Sequence, residues 1–84
     1  MNVLFTPEAW EDYLWFQKND KEGLKRINSL IKNIVRTPFE GIGKPEPLRH
    51  HLSGFWSRRI TDEHRLVYAV EGEQVQIVQC RYHY

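Results

Sequence analysis

A single cysteine, Cys80, is present, so no internal disulfide can staple this chain, and a buried core thiol is the expected role for it. No apolar run approaches the roughly 20 residues that cross a bilayer. The opening Met-Asn-Val-Leu-Phe-Thr-Pro also lacks the basic-then-apolar pattern of a secretory leader, so a cytoplasmic protein with no membrane insertion is expected. An excess of either charge is missing as well. Twelve Lys and Arg stand against eleven Asp and Glu, and a formal charge of +1 neither supports nor excludes a nucleic-acid partner. Repeats, low-complexity tracts and interdomain linkers are absent, and Gly41, Gly43 and Gly54 do not form a phosphate-binding loop before a helix. The adjacent His50 and His51 cannot easily share one ion and no further ligand follows at suitable spacing, so neither metal nor cofactor is expected. With 84 residues there is material for one core, hence one domain over residues 1–84.

What is present is a good supply of core-forming side chains: 40% of residues are hydrophobic, with three Trp, four Tyr and four Phe. Asn2 to Phe5 reads as a strand. Thr6-Pro7-Glu8 then supplies a cap, a first-turn proline and an acid at the positive end of a helix dipole. Trp10, Tyr13 and Leu14 recur at helical spacing until Asn19-Asp20 interrupts and offers a new cap. A second helix starts near Lys21 with Leu24, Ile27, Leu30, Ile31 and Ile34 on one stripe, and Thr37-Pro38 ends it. Residues 38–54 contain three Pro and three Gly and read as a long irregular connection of the kind that carries function. Phe55–Thr61, His64–Val70 and Val75–Tyr82 follow as three strands joined by tight turns. An α+β domain is expected, with a strand and a two-helix hairpin packed on an antiparallel sheet that ends in a three-stranded meander.

Alternation places Arg59 with Ser57 and Thr61, opposite Trp56, Arg58 and Ile60, and it places Arg65 with Val67 and Ala69. Periodicity alone does not bring Arg59, Arg65 and His83 together. The chain nevertheless holds the parts for RNA cleavage by internal transesterification. Glu46 would deprotonate a 2'-hydroxyl, His83 would protonate the leaving oxygen, and Arg59 and Arg65 would meet the charge on phosphorus. Lys44 and Arg49 flank the acid and could hold neighbouring phosphates, and Tyr84 could stack on a base. Five of the six cations after residue 43 are Arg, Arg81 included, and guanidinium suits phosphate contacts. Taken singly each residue has a bland reading: Glu46 as a solvated acid, His83 as part of a chain end, Arg59 and Arg65 as surface cations on strands, Tyr84 as packing.

Taken in order, the motifs are more specific. Thr37-Pro38-Phe39-Glu40-Gly41, Gly43-Lys44-Pro45-Glu46-Pro47-Leu48, Leu52-Ser53-Gly54-Phe55-Trp56-Ser57-Arg58-Arg59-Ile60, Glu63-His64-Arg65-Leu66-Val67-Tyr68 and the final Cys80-Arg81-Tyr82-His83-Tyr84 together resemble the YoeB toxins across essentially the whole chain. The resemblance implies a RelE/ParE-like fold and metal-independent cleavage of messenger RNA in the A site of the 70S ribosome. It implies Glu46 as general base, Arg59 and Arg65 as transition-state stabilisers, and His83 as general acid with Tyr84 beside it. Arg49 stands where the family commonly has Lys. A YefM-type antitoxin is implied as partner, and self-association as a homodimer is left open. Two other functions remain in play at this level: a ParE-like toxin that inhibits gyrase by binding alone, and a ribonuclease that needs no ribosome.

Overall fold

A computed structural model describes residues 1–82. A strand β1 (Asn2–Phe5) leads into helices α1 (Pro7–Asn19) and α2 (Lys21–Arg36). Four further strands follow: β2 (Glu46–Pro47), β3 (Trp56–Arg59), β4 (Arg65–Glu71) and β5 (Gln74–Gln79). They form one sheet in the order β1-β5-β4-β3-β2. β1 runs parallel to β5 and the other neighbouring pairs are antiparallel.

The helix boundaries arise from local chemistry. The Thr6 side chain accepts from the Ala9 N–H at 3.2 Å, with Pro7 in the first turn. Asp20 serves both helices. Its N–H donates to Phe16 O and closes α1, while its carboxylate accepts from Gly23 N–H at 2.9 Å and opens α2. The α2 stripe buries Ile27, Leu30 and Ile34 as its periodicity predicts. The α1 stripe differs from expectation. Ala9 and Phe16 are its buried residues, whereas Trp10 is 47% exposed and stacks on Tyr13 with ring centroids 5.6 Å apart. A small residue at the helix–sheet contact lets α1 approach closely, and the larger rings lie at its margin.

Both helices cover one face of the sheet. Their buried residues join Leu66, Tyr68, Val75, Ile77 and Cys80 in one cluster, with Trp56 and Val70 packed against it. Cys80 enters this core, as expected of it, by way of an irregularity in β5. Tyr68 pairs with Ile77 but Val67 pairs with Gln79, so β5 carries a bulge at Val78 and the inward positions shift by one. β5 also stops at Gln79, and Tyr82 takes a left-handed backbone with φ +63°.

The 38–54 connection is more ordered than its composition suggests. Glu46 and Pro47 pair with Ser57 and Trp56, and His50–Leu52 form a 3-10 turn. Gly43 makes this route possible. Its φ is +84°, and a Cβ there would lie 2.6 Å from Leu30 Cδ2 and 3.2 Å from Arg58 Cβ. Gly43→Ala is expected to cost about 1–3 kcal/mol, from backbone strain and overpacking together, read as a lowered urea midpoint; an unchanged midpoint would show that the loop can shift freely.

Candidate functional site

The site begins with an arginine that faces inward. Consecutive residues of a strand point to opposite faces, so of Arg58 and Arg59 one must enter the core. Arg58 does, and it is fully buried. Its Nε donates to the Tyr68 hydroxyl at 3.1 Å and Nη1 donates to the Asn33 side chain and to Ile42 O. Nη2 donates to Thr37 O at 2.8 Å and Glu40 O at 2.9 Å. Tyr68 in turn donates to Pro38 O at 2.6 Å, and burial pushes its phenol above the ordinary range, which keeps that donor proton in place. Carbonyl and amide oxygens thus surround the guanidinium at the C-terminal end of α2, where the helix dipole is negative and supplies part of the compensation for the buried charge. The mechanical result is that residues 37–42 are tied down from below. The Arg59 N–H then takes Gly43 O at 2.7 Å, and the chain runs on into β2.

Residues paired across strands share a face. Glu46 pairs with Ser57, Ser57 with Val67 and Val67 with Gln79, which makes one row across four strands on the face away from the helices. Ser57 and Val67 are each only 2% exposed, so the floor of this row is closed to water. In the neighbouring row Arg59 pairs directly with Arg65. Neighbouring strands lie about 4.8 Å apart and diagonal neighbours about 7–8 Å apart, so Arg59 has Arg65 directly opposite it on one side and Glu46 diagonally on the other. Two arginines directly opposite one another repel and cost stability. Their pairing makes sense if an anion comes to lie between them.

Arg65 is held in place. Its Nη1 donates to Thr61 O at 2.6 Å, Asp62 O at 3.2 Å and His64 O at 3.0 Å, which fixes one end of the planar fork against the β3–β4 turn. Its backbone N–H donates to Tyr82 O at 3.0 Å, so the end of the described chain lies alongside it. Grooves of about 410 Å³ at the start of α2 and about 440 Å³ along α1 open elsewhere, and neither is lined by Glu46, Arg59 or Arg65.

The pattern of the YoeB-like toxins of bacterial type II toxin-antitoxin systems matches residues 5–84. The protein named Toxin YoeB of Escherichia coli (strain K12) is 62% identical over 84 residues, covering 100% of both chains. The chain belongs to the YoeB-like toxins. Among solved structures, the YoeB/ParE toxin from Agrobacterium tumefaciens superposes with a TM-score of 0.98 at 49% identity, covering both chains fully. The YoeB-YefM complex from Staphylococcus aureus contains a chain matched with a TM-score of 0.92 at 52% identity, covering 100% of this chain and 98% of that one. The fold is therefore the RelE-like fold of YoeB toxins, and a toxin of a type II toxin-antitoxin system is what the family supplies.

Within this YoeB-like chain the expected site residues do not all fall together. Glu46, Arg59 and Arg65 share the face just described, and Lys44 lies exposed beside Arg59 with φ +53°. Arg49 is exposed just beyond the far end of β2, where Leu48 N–H bonds Phe55 O. Arg81 lies apart from the cluster: its guanidinium sits 3.9 Å over the Trp15 ring and near Asp12 on α1. His83 and Tyr84 lie outside the described residues. Two side chains that motif reading passed over are Arg58, which alternation could have pointed inward, and His64, which is only 5% exposed.

Cys80 is a core residue in chemistry as well as position. Its thiol donates to Ala9 O at 3.5 Å, and burial, with the nearby Asp12 charge, pushes its pKa up to about 12. Thiolate is then scarce at neutral pH. Cys80 is expected to resist alkylation at pH 8 in the native protein and to react fully in denaturant; rapid native labelling would contradict this.

Proposed function

We propose that this YoeB-like toxin is an endoribonuclease that cleaves messenger RNA in the ribosomal A site. The observation that carries this is the direct pairing of Arg59 with Arg65 beside Glu46, next to a water-excluded floor on the sheet face away from the helices. Glu46 takes the proton of a 2'-hydroxyl and O2' attacks the adjacent phosphorus. The bond to the 5'-oxygen breaks, and His83 gives that oxygen a proton. The products are a 2',3'-cyclic phosphate and a 5'-hydroxyl. The two guanidiniums stabilise the extra negative charge on phosphorus, which is where preorganised donors contribute most. Lys44 and Arg49 hold flanking phosphates and Tyr84 stacks on a base. Arg81, packed on Trp15, supports the chain end and is not assigned a phosphate. No metal or cofactor enters the scheme.

The small net charge is compatible with dependence on the ribosome. Affinity for free RNA comes mainly from phosphate neutralisation, and a chain of net charge +1 has little of it to offer. A ribosome that presents messenger in fixed geometry removes that need, so the toxin acts where ribosomes are, in the cytoplasm. A YefM-type antitoxin is the proposed partner, supported by the Staphylococcus aureus complex. A dimer of YoeB is known from the same organism, and self-pairing is an accessible state on that ground.

The test compares purified toxin on naked messenger and on ribosomes programmed with the same messenger. Cleavage confined to the A site of programmed ribosomes is expected. Equal cleavage of naked RNA would make it a ribosome-independent nuclease, and cleavage of neither would make it a toxin that acts by binding.

A further inference from the structure

We propose that His64 is a positioning residue for the cleavage reaction: through its ring and its carbonyl it fixes the exit of the C-terminal segment relative to Arg65. The proposal rests on the role given to His83 above. His83 follows Tyr82 directly in sequence, so the backbone at Tyr82 sets the starting direction of whatever comes after it.

Tyr82 holds φ +63°, a left-handed conformation that is unfavourable for a residue with a Cβ. Such a conformation persists only where surroundings impose it. The Tyr82 N–H donates to His64 Nδ1 at 2.8 Å, and Tyr82 O accepts from the Arg65 N–H at 3.0 Å. Nδ1 must therefore be the unprotonated nitrogen, and the ring proton belongs on Nε2, where Glu63 Oε1 lies at 3.1 Å. The ring cannot easily swing away. It is held edge-on to Phe16 with centroids 5.1 Å apart, and lies 5.9 Å from Trp15.

The carbonyl of the same residue accepts from Arg65 Nη1 and from the backbone N–H groups of Ile60 and Thr61. One residue thus sets both the guanidinium on β4 and the turn that leads to the last two residues. A buried histidine serving only the core would need some partner for Nδ1, but not the amide of a strained residue one peptide before the proposed general acid. Displacements of about 1 Å at a reacting group can cost on the order of 10²-fold in rate.

His64→Leu keeps bulk and removes the acceptor, whereas His64→Asn places an oxygen where Nδ1 was. For His64→Leu, the Tyr82 amide is expected to lose hydrogen-exchange protection at least about tenfold, and kcat on programmed ribosomes to fall roughly 10- to 100-fold with KM within about twofold. His64→Asn is expected to restore both to within about threefold. If His64→Leu does not fold, Tyr82→Pro, at an exposed position near the chain end, removes the same N–H and the positive φ and is expected to give the same loss of kcat with little loss of stability. Wild-type kcat in His64→Leu or Tyr82→Pro, or equal loss in the Leu and Asn variants, would overturn the proposal. His83→Gln is run alongside. If it cleaves as wild type does, the cleavage scheme is what fails, while Tyr82 exchange in the isolated protein still decides whether His64 holds the turn.

Discussion

Glu46→Ala and His83→Gln are each expected to lower cleavage on programmed ribosomes by about 10²–10⁴-fold, the usual range for loss of a general base or acid. Glu46 is exposed on the two-residue strand β2, so its loss removes no core contact and stability should stay within about 0.5 kcal/mol of the parent. The double variant should be little worse than the poorer single one, because the two groups act on one proton-transfer sequence and their effects do not add. Antitoxin binding, measured by co-purification, should persist in all three. Wild-type turnover in either single variant would remove that residue from the chemistry. Parallel loss of activity and stability would instead make Glu46 a structural residue.

Arg58→Leu has the largest expected effect on the fold itself. The substitution takes a charged donor from the Asn33 side chain, three loop carbonyls and the Tyr68 hydroxyl at once, and the leucine has nothing to offer any of them. A loss of roughly 3–5 kcal/mol is expected, the scale seen when one partner of a buried charged network is removed. That is a large part of the about 4–13 kcal/mol that a domain of this length commands. The urea midpoint should fall by roughly 2–3 M, at about 1–2 kcal/mol per M. Arg58→Lys should be intermediate, since an ammonium keeps the charge but not the fork that reaches five acceptors. A midpoint within experimental error of the parent for Arg58→Leu would mean that residues 37–42 are held by something else.

The elements that were legible from sequence are those with local causes. Thr6, Asp20 and Thr37-Pro38 bound the helices because capping and proline sterics act within four residues. The β3–β4–β5 meander shows in its turns. What lay beyond reach depends on contacts distant in the chain. β1 reads as a strand, but its parallel pairing with β5 is set more than 70 residues later. Glu46-Pro47 reads as loop because a two-residue strand has no periodicity, and it exists only because Trp56 and Ser57 offer it an edge. The burial of Cys80 was legible from its residue type, but the bulge at Val78 that turns it inward has no sequence signal.

The site shows the same division. Glu46, Arg59 and Arg65 stood out by residue type and by motif order. Their common face needed the β3–β4 register, which pairs 59 with 65 across a five-residue turn. Arg58 and His64 were passed over for the opposite reason. Alternation puts Arg58 with Trp56 and Ile60, but a cation and an imidazole are read as surface residues until the oxygens that accept from Arg58 and the Tyr82 amide that donates to His64 are known. Arg81 reads as one more phosphate ligand, yet its stacking on Trp15 depends on α1 and the chain end coming together.

The most direct test of the central claim is the chemistry of the cut ends. Messenger cleaved on programmed ribosomes by the wild-type toxin should carry a 2',3'-cyclic phosphate upstream and a 5'-hydroxyl downstream, and a 2'-deoxy substitution at the cleavage position should abolish the cut. A 5'-phosphate on the downstream fragment, or unimpaired cutting of the deoxy substrate, would contradict attack by the neighbouring hydroxyl and with it the role given to Glu46.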